Sequence, residues 1–179
     1  NRRLAESDIE KNKENVINLL SDGVVAEKTV DANDQHYEVP PEFFKKVLGN
    51  RLKYSCSLFD GQTTLDEAED KMLDLYIERA NILDGQEILD LGCGWGSFSL
   101  YAAEKFPESN ITSVSNSFDQ INFINEEAEK RNLKNIKAIK MDVNKLHLDN
   151  HFDRIISIEM FEHLRNYKSI LSSLSSLLK

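Results

Sequence analysis

Two spacings of apolar residues divide this 179-residue chain into elements. Leu65, Ala68, Met72, Tyr76 and Ala80 recur three and four positions apart, which predicts an amphipathic helix over 65–80 with these residues inward. Thr64-Leu65-Asp66-Glu67 sets a hydroxyl and a carboxylate three apart at its start, the capping box that satisfies orphan helix donors. Asp84-Gly85 predicts a turn, and 87–91 (EILDL) reads as a short buried strand. From there the two patterns alternate: a helix over 97–106, a strand over 110–115, and a helix over 118–131 with Ile121, Ile124 and Ala128 inward. Strands follow over 136–141 and 152–158, then a leucine-rich helix over 167–178. Such alternation predicts βαβ units, hence an α/β fold with a parallel sheet. Right-handed crossovers bring the carboxyl ends of the strands, and any ligand, to one edge.

The first 35 residues are polar and lysine/asparagine-rich, with one weak helical stretch over 9–20; they predict an appended arm or helix without chemistry. Residues 36–59 turn aromatic and apolar, broken by Pro40-Pro41 and Gly49, and read as a lid-like or docking segment ahead of the main fold. Residues 36–179 are then one domain. Composition narrows the choice: 40% hydrophobic and 30% charged residues exclude wholesale disorder. No apolar run approaches the roughly 18 residues of a membrane span, and no signal-peptide pattern opens the chain, so stable membrane insertion is not expected. With 22 Lys and Arg against 31 Asp and Glu, the net charge of −9 argues against a nucleic-acid partner. Two cysteines, Cys56 and Cys93, suit a reducing cytoplasm.

The chemistry starts at Asp90-Leu91-Gly92-Cys93-Gly94-Trp95-Gly96-Ser97, where the first strand hands over to a helix. Glycines there supply permissive dihedrals and let a ligand approach the backbone. The spacing is G-x-G-x-G, one residue short of a dinucleotide fingerprint, and the second strand ends in Ser115-Asn116 where a dinucleotide site wants an acid. A plain strand–helix turn is the alternative, with Trp95 as a packing residue.

This glycine segment resembles motif I of class I S-adenosylmethionine-dependent methyltransferases. His36-Tyr37-Glu38-Val39-Pro40, Tyr54-Ser55-Cys56 and Ile158-Glu159-Met160-Phe161-Glu162-His163 narrow the resemblance to the cyclopropane-fatty-acid synthase superfamily, including its coclaurine N-methyltransferase-like branch. The resemblance implies a Rossmann-like fold with helices on both faces of the sheet and S-adenosylmethionine as cofactor. It implies that Gly92, Gly94 and Gly96 approach the methionine part, with Asp90 below the loop and Tyr54 and Ser55 holding the carboxylate. Asn116 and Gln120 would bond the ribose, and Asp142 and Val143 would bracket the adenine. Asn116 as a helix cap and Asp142 as a turn residue are the structural alternatives.

Glu159, Glu162 and His163 share one face if the chain turns helical after the fourth strand. Methyl transfer to an amine needs a neutral lone pair and in-line positioning, so a positioned base is useful. His163 is the candidate base, Glu162 its orienting partner, and Glu159 the group that attracts a cationic amine. A helix start in which Glu162 caps and His163 packs is the alternative. The superfamily resemblance also offers lipid cyclopropanation, for which Cys56 and Glu162 match two positions of a bicarbonate site; Cys56 as a small buried hydrophobe is the plain reading. The net charge favours a small amine acceptor over an unsaturated phospholipid. No metal is expected. The resembling fold has seven strands and this chain supplies the first four, leaving Ile155, Ile156 and Ile158 on an open edge. A longer protein, self-association with another chain, or a non-catalytic cofactor-binding fragment would each account for that edge.

Overall fold

A computed structural model describes residues 6–27 and 41–179; the motif formed by His36 to Pro40 lies outside them. Among the described residues three helices precede the sheet: α1 (Glu6–Leu19), α2 (Pro41–Val47) and α3 (Leu65–Arg79). Then come β1 (Glu87–Leu91), α4 (Ser97–Lys105), β2 (Asn110–Ser115), α5 (Phe118–Lys130), β3 (Ile136–Lys140), β4 (Arg154–Ile156) and α6 (Tyr167–Leu177). The strands order β3-β2-β1-β4, all parallel, as the alternating pattern predicts. Register runs from Glu87↔Asn110 to Leu91↔Val114 between β1 and β2, and from Ile88↔Arg154 to Asp90↔Ile156 between β1 and β4.

β4 is shorter than its apolar run suggests. Phe152 bridges Leu178 instead, its N–H donating to Leu177 O at 2.8 Å while Lys179 N–H donates back at 3.1 Å. Beyond Ile156 the neighbouring strand ends in the glycine loop, and the Ser157 hydroxyl takes the Leu91 carbonyl at 2.9 Å in place of a ladder bond.

Helices cover both faces, so β1 is buried from Ile88 to Leu91. One face packs Leu89, Leu91 and Val114 against Phe152, Ile170, Leu174 and Leu177. The other packs Ile88 and Ile111 against Leu73, Ile77, Phe98 and Ala102. No helix among the described residues is long and apolar enough to cross a membrane.

The capping box forms as read, with Glu67 N–H donating to Thr64 Oγ1 and Thr64 N–H to Glu67 Oε2. The buried face of α3 is nevertheless rotated from the predicted one: Ala68, Glu69, Leu73 and Ile77 are buried, whereas Leu65 is exposed. The reason is Glu69. Its fully buried carboxylate accepts the N–H groups of Gly49 and Arg51, each at 2.9 Å, and so holds the turn that leads into residues 52–56. Glu69→Ala leaves two part-buried amides without an acceptor and should lower unfolding stability by about 2–4 kcal/mol in urea titration. Glu69→Gln, which keeps an acceptor oxygen, should lose less; an unchanged midpoint for both would mean that the turn holds itself.

Candidate active site

The glycine loop is an extension of strand pairing. Gly92 and Cys93 both donate their N–H to Val114 O, at 2.9 and 3.0 Å, so β2 fixes the path by which β1 leaves the sheet. All three glycines have positive φ, at 81°, 53° and 78°, but they do different work. A Cβ on Gly92 would stand 2.8 Å from Met160 Cγ and Sδ, and one on Gly96 would stand 2.6 Å from Ile124 Cγ1. A Cβ on Gly94 would meet nothing within 4 Å. Gly94 alone faces open space; Gly92 and Gly96 make room for the β4 exit turn and for α5.

That open space is a cavity of about 440 Å³. Its wall brings together Tyr54, Ser55, Asp90, Gly92, Gly94, Gln120, Glu159, Glu162 and His163, from four separate stretches of the chain. Gly96, Cys56, Asn116, Asp142 and Val143 are not on it. Asn116 follows β2 half-buried, and it does not cap α5, because Ser117 is the N-cap and accepts the Gln120 N–H. Asp142 caps the short turn Val143–Lys145, accepting from Asn144 N–H at 2.9 Å, and Val143 is buried in the core.

The acidic group after β4 corrects one expectation. The chain does not turn α-helical there: Glu159 has φ 48°, Met160 forms no side-chain cap, and only Phe161–His163 makes a 3₁₀ turn. Glu159 is thus thrown out of helical phase, and its convergence with Glu162 and His163 comes from the cavity wall they share. Its Oε1 accepts the Cys56 N–H at 3.2 Å. Glu162 and His163 are both exposed, which excludes the packed-histidine alternative. Cys56 is also exposed, so the buried-hydrophobe reading fails; its thiol lies 3.8 Å from the Tyr76 hydroxyl.

Several groups escaped sequence reasoning. Lys53 is buried on the wall, and burial pulls its ammonium below the usual lysine value. Trp95 Nε1 and Ser97 Oγ, and with them Nε2 of Gln120, which the sequence singles out, are buried on the same wall with no hydrogen-bond partner among the described residues. Trp95 also packs between Phe44 and Phe123, at 5.1 and 5.6 Å between ring centroids. A loop tryptophan and a helix-start serine look like packing and capping residues in a sequence, so only their stranded polar atoms mark them out.

Under the loop, Asp90 is 2% exposed and accepts from Ser99 Oγ at 2.5 Å. Burial pushes its carboxyl up to about 6, against the opposing pull of the Ser99 hydrogen bonds. Burial also pushes the Cys93 thiol well up, reinforced by Asp90.

The chain matches the family model described as mycolic acid cyclopropane synthetase over residues 25–179. It is 45% identical over 158 residues to (S)-coclaurine N-methyltransferase of Thalictrum flavum subsp. glaucum, covering 88% of this chain and 44% of that protein. A crystal structure of coclaurine N-methyltransferase bound to N-methylheliamine and SAH superposes with TM-score 0.93 at 39% identity, covering 99% of this chain and 52% of that one. Cyclopropane-fatty-acyl-phospholipid synthase of Escherichia coli (strain K12) is 29% identical over 147 residues, 81% of this chain and 37% of that protein. The chain spans about half the length of the relatives it matches.

Asp90 generates a pH prediction. Its folded pKa of about 6 exceeds the ordinary 3.8, so the native state holds the extra proton between those values. Its stabilising contribution is complete below about pH 4 and is lost as pH rises to 6. The unfolding free energy of Asp90→Asn minus that of the wild type should therefore rise by about 2 kcal/mol from pH 4 to pH 7. A level difference would show that Asp90 does not titrate in this range.

Proposed function

This chain belongs to the mycolic acid cyclopropane synthetase family, and we propose that it binds S-adenosylmethionine at the glycine loop and directs its methyl group to the nitrogen of a small amine. The observation that carries this reading is the convergence of Glu159, Glu162 and His163 on the cavity that Gly94 leaves open. The residues present fit the cofactor. The space above Gly94 admits a close ligand, and the stranded Trp95, Ser97 and Gln120 atoms offer two hydroxyl or amide groups and an indole N–H to it. Tyr54 and Ser55 stand at one wall for the methionine end, and Gln120 for the ribose. Asn116 and then Asp142 with Val143 follow the carboxyl ends of β2 and β3, and would extend the site along that sheet edge beyond the cavity.

When bound, the cofactor supplies an electrophilic methyl group on a sulfonium that is already a good leaving group. The chain's own task is then to present a neutral amine in line with it. Glu159, fixed by the Cys56 amide, attracts the protonated acceptor into the cavity. His163 takes the proton from the acceptor nitrogen, and Glu162, one residue earlier on the same turn, steadies the imidazolium that forms. Cys56, which matches one position of the bicarbonate site that lipid cyclopropanation would use, has its thiol paired with the Tyr76 hydroxyl and stands off the cavity wall, which favours the amine. Two free thiols and the net charge of −9 fit a reducing cytoplasm and a cationic acceptor.

A transfer assay with methyl-labelled cofactor, run against an amine panel and unsaturated phospholipids side by side, tests the reading. Label should appear on amine nitrogen; a cyclopropane ring in the lipid would overturn it. Glu162→Gln and His163→Ala should each lower turnover by roughly 100-fold or more, while calorimetric affinity for S-adenosylhomocysteine changes by less than about threefold. Equal losses in turnover and affinity would make these residues supports of the fold.

A further inference from the structure

Lys53 gives the cavity a buried positive charge that has no carboxylate of its own. The residue is 3% exposed and lies on the wall. Its Nζ donates to Ser55 Oγ and, at 3.1 Å, to the Tyr76 hydroxyl, and sits 4.8 Å from the centre of the Tyr76 ring. Both hydrogen-bond partners are neutral. Among the described residues no carboxylate forms an ion pair with it; Cys56, Glu159 and Glu69 act on it from further away. Neither acid is idle, since Glu69 is held by the Gly49 and Arg51 amides and Glu159 by the Cys56 amide. A buried ammonium with neutral partners is costly, and a ligand that brings an anion relieves the cost. Burial has already drawn the pKa of Lys53 down, as expected of a charge short of a counter-ion.

We propose that Lys53 recognises a carboxylate on the bound ligand, and, resting on the cofactor reading above, that this is the carboxylate at the amino-acid end of S-adenosylmethionine. That carboxylate is the cofactor's one anionic group. Elsewhere the wall carries Asp90, Glu159 and Glu162, which repel it, so Lys53 fixes which end of the ligand enters beside Ser55. The Tyr76 hydroxyl and ring hold the ammonium to α3 and keep it from swinging out to solvent.

The test compares calorimetric binding of S-adenosylhomocysteine with that of its decarboxylated counterpart, S-adenosyl-3-thiopropylamine, which keeps every group except the carboxylate. The wild type should prefer the carboxylate-bearing compound by roughly tenfold or more. Lys53→Met and Lys53→Gln should erase that preference by weakening S-adenosylhomocysteine alone, with the decarboxylated compound bound as before. Equal weakening of both compounds would make Lys53 a structural residue and overturn the proposal, as would no weakening of either. A wild type without the preference overturns it with no variant needed. Failure of the wild type to bind either compound instead removes the cofactor reading, and this proposal with it.

Discussion

A carboxylate shut away from water supports the turn on which the whole site is built. Asp90 ends its chain of bonds below the glycine loop: Ser113 Oγ donates to Ser99 Oγ at 2.7 Å, and Ser99 Oγ donates to Asp90 Oδ2 at 2.5 Å. One buried line thus ties β2, α4 and β1 together at the strand that leads into Gly92 to Gly96. Above it, a single carbonyl, Val114 O, receives the amides of both Gly92 and Cys93. The loop has no freedom to choose its own path, because the parallel register of β1 and β2 chooses it. A site preorganised in this way spends little on ordering itself when a ligand arrives.

The opposite wall of the cavity is built without the sheet. Residues 52–56 are a strap with no regular structure, held at three points. Glu69 of α3 takes the amides of Gly49 and Arg51, Lys53 reaches the Tyr76 hydroxyl of the same helix, and the Cys56 amide reaches Glu159 beyond β4. The β4 exit turn in turn seats Met160 against Gly92. Loop, strap and exit turn therefore lock one another, and the proposed acceptor acids face the cavity because the other two pieces leave them that space. Left-handed backbone at Glu159 costs about 1–2 kcal/mol and is sustained by this mutual bracing.

Much of the fold was legible in the chain because it depends on local patterns that recur with a fixed period. The strands over 87–91 and 110–115 and the helix starting at Thr64 agree with their predicted bounds to within a residue. Less was legible where a polar side chain takes a core position. Spacing of apolar residues could not turn α3 toward Glu69, because a carboxylate scores as solvent-facing until the two amides that need it are brought alongside. Helical spacing likewise grouped Glu159 with Glu162 and His163 for a reason the structure does not use; they share one cavity wall by a different geometry.

The sequence by itself determined the element order, the parallel α/β class, the glycine turn and the set of acids and histidine worth watching, since each follows from residue type and local spacing. Only the tertiary structure decided which glycine faces open space, which of the carried-over residues line one cavity, and that a lysine beside Tyr54 is buried in its wall with no ion-paired carboxylate among the described residues. Those distinctions depend on what lies across the gap from each atom, on Met160, Ile124 or nothing at all. Neighbours so distant along the chain leave no mark on its local pattern.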